Sequence, residues 1–118
     1  MFMGPIMNIR NMAQKARLIL NDQVTYLIYA VTAHCNAKCS HCFYWHNIEK
    51  AAKRKQLRLP EIEKLSHSLG PLLLLNLCGG EPYLRKDLPE IARIFVKNNK
   101  AKFITIPSNG YLTETIIP

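Results

Sequence analysis

Three short apolar runs, separated by stretches of helical periodicity, organise the chain from residue 24 to residue 106. The run Val24 to Thr32 is β-branched and aromatic, with too many apolar positions to alternate, which predicts a strand covered on both faces. Leu72 to Cys78 has the length of a strand rather than of a helix, and Phe103 to Ile106 is a third β-rich run. We therefore predict three strands.

Two helices are predicted between these strands. Residues 60–69 form the first, because Pro60 suits an opening helical turn and Gly70 ends the pattern. Residues 87–98 form the second, with Asp87 as a candidate N-cap. Its predicted buried stripe has helical spacing and consists of Leu88, Ile91, Ala92, Phe95 and Val96.

The order β-α-β-α-β with helical crossovers predicts an α/β fold with parallel strands and right-handed connections. Three strands make an incomplete parallel sheet, and a closed or half-closed barrel would need several more βα units. We therefore expect residues 23–118 to be the N-terminal part of a larger domain, which is incomplete in this chain.

Residues 1–22 predict a short amphipathic helix ahead of that domain. The segment has no acidic residue before Asp22, and its apolar residues fall at helical spacing opposite its basic ones. We favour a helix packed against the following domain over a transit sequence or a membrane-surface helix. The apolar positions are Ile9, Met12, Ala13, Ala16 and Leu20.

The composition predicts where the protein is located and which partners it can bind. No apolar run approaches the roughly 20 residues that span a bilayer, and no signal-peptide pattern is present, so we expect a cytoplasmic protein without a transmembrane segment. The net charge is +8, but the densest basic group carries no interleaved aromatic residues. We therefore interpret this group, Lys50, Lys53, Arg54, Lys55 and Arg58, as a solvated face rather than a nucleic-acid surface.

Unusual residues follow each predicted strand. Cysteines at 35, 39 and 42 follow the first, Gly79-Gly80-Glu81-Pro82 follows the second, and Ser108-Asn109-Gly110 follows the third. Ligands of parallel α/β sheets bind at the carboxyl ends of the strands. The three clusters therefore predict one site.

The cysteine spacing allows several chemistries. A disulfide or a redox dithiol leaves one of Cys35, Cys39 and Cys42 unexplained. Zinc remains open, with His34, His41 or His46 as a fourth ligand, although no second ligand pair exists. An iron–sulfur cluster suits closely spaced cysteines on one loop, and three thiolates leave one iron of a four-iron cluster without a protein ligand.

With these motifs the sequence resembles the radical S-adenosylmethionine (radical SAM) enzymes, from about Val24 to Tyr111. The resemblance is carried by C-x3-C-x2-C after the first strand, Gly79-Gly80-Glu81-Pro82 after the second and the Ser108-Asn109-Gly110 turn. It implies that this chain holds the first half of a partial (β/α)6 TIM-like barrel. It also implies a [4Fe-4S] cluster on Cys35, Cys39 and Cys42, with SAM on the open iron.

The resemblance further implies which residues contact SAM: His41, Gly79, Gly80, Glu81, Ser108 and Asn109. His41 would lie near the adenine. The two glycines would let the main chain approach the methionine part, and Glu81 would offer a carboxylate to its ammonium group. Phe43, Tyr44 and Trp45 are expected to pack around the cluster and exclude water, and Cys78 is expected to be a buried strand-end residue.

The implied reaction is reductive cleavage of SAM to a 5′-deoxyadenosyl radical, which abstracts hydrogen from a substrate. It needs an external one-electron donor of the flavodoxin or ferredoxin type. The substrate is predicted to be a peptide or a cofactor precursor, and this chain alone is expected to be inactive. The alternative from another class is a small zinc module that binds nucleic acid.

Overall fold

The computed structural model describes residues 24–117 together with Met12, Ala13, Ala16 and Leu20. These four residues are helical and exposed. The remainder of the predicted amphipathic helix over residues 1–22 lies outside the described residues.

The described chain alternates strands and helices in the predicted order. The strands are β1 (Tyr26–Thr32), β2 (Leu74–Gly79) and β3 (Phe103–Thr105). The helices are α1 (Trp45–Glu49), α2 (Leu59–Ser68), α3 (Leu88–Asn99) and α4 (Thr113–Ile116). Short 3₁₀ turns cover Ala51–Lys53 and Pro82–Leu84. None of the helices in the described residues is long and apolar enough to cross a membrane.

The three strands form one parallel sheet in the order β1-β2-β3. Tyr26 pairs with Leu74, and Leu75 pairs with Ile104, so each strand lies beside the next one along the chain. This arrangement confirms the predicted β-α-β-α-β unit and its α/β class. It also brings the carboxyl ends of all three strands to the same edge.

Helices α2 and α3 cover one face of the sheet and bury the core there. The ring of Phe95 meets that of Tyr29 edge-on, with centroids 6.3 Å apart. The core combines residues of both helices, the inward positions of β1 and β2, and Leu72 just before β2: Val31, Ile62, Leu72, Leu75, Leu77, Leu88, Ile91 and Phe95.

The opposite face corrects the expectation that β1 is covered on both sides. Tyr26 and Ile28 are 52% and 61% exposed, and Phe103 on β3 is 57% exposed. Because both helical crossovers lie on the same side of the sheet, the described residues leave this second face open. Val96 was also wrongly placed in the buried stripe, since it is 47% exposed beside the buried Phe95.

Two polar side chains fix the connections around the sheet. Asn99 is fully buried, and its amide Nδ2 donates to the carbonyl oxygens of Ser66, Leu69 and Gly70 at 2.8 to 2.9 Å, which closes the end of α2. Asp87 occupies the N-cap position of α3, but its carboxylate forms no cap bond and instead accepts from Arg85 Nε at 2.7 Å.

Arg85 extends this link to the first strand. Its guanidinium also donates to the carbonyl oxygens of Val31 at 2.6 Å and Leu57 at 2.5 Å. The side chain is buried, so these bonds are shielded from water. The chain after β2 is therefore anchored to the end of β1, where the predicted site lies.

Candidate functional site

The loops after β1 and β2 are joined by backbone hydrogen bonds beyond the sheet. The amide of Gly80 donates to the carbonyl of Thr32 at 2.9 Å, and the amide of Glu81 donates to the carbonyl of His34 at 2.8 Å. The cysteine loop therefore leaves β1 alongside the glycine turn. This is the convergence that the positions of the motifs predicted.

The glycine pair is required by the contact between these two loops. A Cβ on Gly79 would overlap the carbonyl oxygen of Thr32, and one on Gly80 would overlap that of His34. Gly79 also has φ +129°, a conformation that L side chains rarely adopt. The sequence predicted close approach to SAM, whereas the neighbour seen in the structure is the loop after β1.

The three cysteines are free thiols on one irregular loop. Cys35 and Cys42 are partly buried and Cys39 is exposed. A turn bond from the amide of Cys42 to the carbonyl of Cys39, 3.2 Å long, fixes the second and third cysteines relative to each other. The loop thus presents three thiols without any disulfide among them.

A cavity of about 340 Å³ brings the three loops together. Its lining comes from each strand end and includes Cys39, His41, Cys42, Gly79, Gly80, Ser108 and Asn109. Among the predicted site residues, Cys35 and Glu81 are absent from this lining. The structure therefore assembles two of the three cysteines and most of the predicted SAM contacts around one space.

Glu81 lies behind that space with no exposed surface. Its carboxylate accepts from the Ser108 hydroxyl at 3.0 Å, the Asn109 amide at 2.8 Å and the Tyr83 amide at 3.2 Å. Glu81 therefore joins the loop after β2 to the turn after β3. Its contact with the SAM ammonium group stays a prediction, and this second, structural role was not evident from the sequence.

Asn109 connects the third loop to the first. Its Nδ2 donates to Asn36 Oδ1 at 2.7 Å and lies 3.9 Å from the sulfur of Cys35. Its Oδ1 accepts from the amide of Tyr111 at 3.0 Å, which closes the turn. Cys35, although outside the cavity lining, is thus connected to the same network.

The aromatic residues after Cys42, His41 and Cys78 differ in how far they are exposed to solvent. Phe43 is 95% exposed and Trp45 is 36% exposed, yet each lines a cavity together with Cys39 and Cys42, so their packing around a bound cluster stays a prediction. His41 is exposed, with Nδ1 2.9 Å from the Ser40 hydroxyl. Burial raises the pKa of the Cys78 thiol, although a backbone hydrogen bond at Gly79 acts in the opposite direction.

The donor set fits a cluster better than a single ion. In residues 24–117 and the four described helical residues before them, no group of three or more His, Cys, Asp or Glu side chains could hold one metal ion. A four-iron cluster is a larger body whose cysteine ligands lie further apart, and three free thiols on one loop, two of them beside the cavity, meet that need. Cys35, Cys39 and Cys42 are the residues that could hold it.

Comparison with known proteins identifies the family. The radical SAM superfamily matches residues 29–117. A probable GTP 3′,8-cyclase of Methanococcus aeolicus is 36% identical over 97 residues, or 80% of this chain and 32% of its own length. The GTP 3′,8-cyclase of Actinobacillus pleuropneumoniae is 33% identical over 94 residues, or 78% of this chain and 28% of its own. No solved structure gives a significant match.

The chain belongs to the radical SAM superfamily, as the resemblance of its motifs indicated. The cofactors of that family are a [4Fe-4S] cluster and SAM, and its catalytic fold is TIM-like. The family match favours these cofactors over the zinc alternative. The chain spans less than a third of the length of these two relatives, 32% and 28%.

Proposed function

We propose that the protein is a radical SAM enzyme in which Cys35, Cys39 and Cys42 bind the [4Fe-4S] cluster. The observation that carries this proposal is the single cavity in which the cysteine loop meets Gly79-Gly80 and the Ser108-Asn109 turn. Two of the three cysteines line it, so a ligand on the open iron of the cluster would face the glycines and the turn.

When bound, the cluster and SAM supply a one-electron cleavage that generates a hydrogen-abstracting radical. The protein's own residues bind and orient these groups. Gly79 and Gly80 present main chain without side chains to the cavity, His41 lies at its rim, and Ser108 and Asn109 form its third side. Glu81 holds that third side in place from behind.

Members of the family need an electron donor, and we propose a flavodoxin- or ferredoxin-like protein as the donor here. Exposure of Cys39 gives such a partner access to the cluster. A second open cavity, of about 430 Å³, places Lys38 beside Cys39 and Cys42. Positive charge at this position would attract an acidic donor.

We also propose a cytoplasmic location, because thiolate ligands require a reducing compartment.

For the substrate, we propose GTP or a related purine nucleotide. Both relatives described above are named for a reaction on GTP. The net charge of +8 suits a polyphosphate anion. A nucleotide is compatible with the predicted class of cofactor precursors, whereas the names of these relatives give no support to a peptide.

Anaerobic reconstitution of the intact protein with iron and sulfide tests the chemistry. The expected product is brown, contains iron and sulfide in equal amounts, and cleaves SAM when dithionite is added. Alanine at Cys35, Cys39 or Cys42 should abolish both colour and cleavage. Cys78→Ala is the matched control and should retain the cluster. An active preparation containing zinc and no sulfide would overturn the proposal.

Titration with GTP tests the substrate separately. We expect GTP to increase SAM cleavage and to be converted itself, while a pool of short peptides has no effect. If SAM is cleaved at the same rate with and without GTP, the nucleotide is not the substrate, and the proposed chemistry at the cluster still stands.

A further inference from the structure

The three cysteines differ in the hydrogen-bond donors around their sulfur atoms. The sulfur of Cys35 accepts from the amide of Ala37 at 3.4 Å, and Asn109 Nδ2 lies 3.9 Å from the same sulfur. For Cys39 and Cys42, the described part of the chain supplies no comparable donor. One ligand of the cluster is therefore electrostatically distinct from the other two.

Two other bonds orient the side-chain amide of Asn109, and a third holds its backbone. Its backbone N–H donates to Glu81, its Oδ1 accepts from Tyr111, and one hydrogen of its Nδ2 goes to Asn36. An amide nitrogen carries two hydrogens, so the second is left for the sulfur of Cys35. The geometry thus supplies a fixed N–H donor at a distance where sulfur still accepts a weak bond.

The anchor of this arrangement is rigid. Glu81 has no exposed surface, and its carboxylate also accepts from the Ser108 hydroxyl and the Tyr83 amide. A buried acceptor with several donors resists displacement, because a carboxylate that loses its donors is left without partners away from water. The Glu81 bond therefore holds the backbone of Asn109 beside the cysteine loop, and the bonds to Asn36 and Tyr111 orient its side-chain amide toward Cys35.

An N–H donor near a cluster ligand acts on the electron balance of the cluster. Reduction adds negative charge that spreads onto the cysteine sulfurs, and a fixed N–H dipole stabilises the more negative state. The reduction potential therefore rises. The effect of one long N–H···S bond is modest, but in a reaction that begins with electron transfer to the cluster it changes the first equilibrium.

We propose that Asn109 is a positioning residue that raises the reduction potential of the cluster through Cys35, with Glu81 fixing its place. This inference rests on the proposed function only in requiring that Cys35 be a cluster ligand. It assigns the side chain of Asn109 to the cluster rather than to SAM. It also gives the turn after β3 a role in the absence of SAM.

The test is a redox titration of the intact, reconstituted protein without SAM, followed by electron paramagnetic resonance. Asn109→Ser removes the amide donor without adding charge. Asn109→Asp keeps the acceptor for Tyr111 and replaces the donor by an oxygen. Asn98→Ser is the matched control, because it removes an amide that donates to Ser66 between α2 and α3.

We expect the equilibrium constant for reduction to fall about threefold in Asn109→Ser, which is the low end of the range for losing one hydrogen bond and suits a weak N–H···S contact. This is about 28 mV for a one-electron couple, since a tenfold change is about 59 mV. Asn109→Asp should shift the potential further in the same direction, because its charge also opposes reduction. Asn98→Ser should leave the potential unchanged.

An unchanged potential in Asn109→Ser with an intact cluster would overturn the inference, even if Asn109→Asp shifts, since charge alone would then explain the shift. If both Asn109 variants fail to hold a cluster, Asn36→Ala decides. This variant leaves the turn after β3 intact but removes the partner that orients the Asn109 amide. We therefore expect a smaller fall in the reduction potential, and an unchanged potential would contradict the inference. Failure of the unaltered protein to form any cluster would overturn the proposed function and this inference together.

Discussion

The carboxylate of Glu81 accepts a hydrogen bond of 2.8 Å from the backbone amide of Asn109, which links the ends of β2 and β3. Together with the bond from the Glu81 amide to the carbonyl of His34, it makes the loops of all three strands one connected unit. The geometry of the candidate site therefore depends on a residue that does not line its cavity. This dependence can be measured.

Removal of the Glu81 carboxylate should destabilise the fold. Glu81→Ala leaves the donors of Ser108, Asn109 and Tyr83 without their acceptor, and we expect a loss of about 3 kcal/mol in the free energy of unfolding. Urea denaturation measures it, with the exposed Glu63→Ala as the control. A loss below about 0.5 kcal/mol, the range of ordinary surface substitutions, would contradict the structural role.

Glu81→Gln separates this role from the predicted contact with SAM. The glutamine keeps one acceptor oxygen but points an NH₂ group at remaining donors, so stability should fall by about 1 to 2 kcal/mol. If Glu81 acts only within the protein, the affinity for SAM should fall no more than the stability change explains. A large loss of SAM affinity at unchanged stability would instead support a direct contact with the ammonium group.

Gly80→Ala tests the close approach of the loops after β1 and β2. The added Cβ would overlap the carbonyl oxygen of His34, so the loops must separate, and we expect a loss of about 2 to 3 kcal/mol with reduced cluster binding. Gly110→Ala is the control. It has φ +77° but open space around it, so it should lose only about 1 kcal/mol. Equal effects would refute the steric argument.

Asn99→Ala tests the closure of α2. The substitution leaves the carbonyl groups of Ser66, Leu69 and Gly70 without their buried donor, and we expect the free energy of unfolding to fall by about 2 to 3 kcal/mol. Asn98→Ala, which loses one partly buried bond to the Ser66 hydroxyl, should cost about 1 kcal/mol. Thermal and urea denaturation of the two variants side by side give the comparison.

The Arg85–Asp87 pair predicts how stability depends on pH. The hydrogen bond from Arg85 lowers the pKa of the Asp87 carboxyl below its ordinary value. The unfolded chain therefore binds this proton more readily, so the stabilisation is present above the ordinary pKa of aspartate and is lost as the pH falls through the lowered value. Asp87→Asn should reduce stability at pH 7 and flatten the acid side of the profile. An unchanged acid limb would contradict the coupling.

Local patterns were sufficient to predict the framework of the fold. Proline, glycine and apolar spacing located both long helices, and the helical crossovers implied the parallel order that the sheet shows. The three motifs were correctly expected at one edge. In each case the pattern lies within a few neighbouring residues, and local chain geometry determines the structure that they form.

The bonds between the loops could not be predicted in this way. Glu81 meets Asn109 across 28 residues and Asn109 meets Asn36 across 73, and no local pattern encodes such distances. The exposure of Phe43 and Val96 depends on which elements pack nearby rather than on their own hydrophobicity. The buried position of Glu81 is likewise a property of the assembled loops.

The central claim is that Cys35, Cys39 and Cys42 hold a cluster with one iron open to SAM. Electron paramagnetic resonance of the reduced, intact protein, recorded with and without SAM, tests it most directly. We predict a signal of a reduced [4Fe-4S] cluster whose shape changes when SAM is added, because SAM becomes a ligand of the open iron. A cluster signal that SAM leaves unchanged, or no signal from a fully reconstituted protein, would contradict the claim.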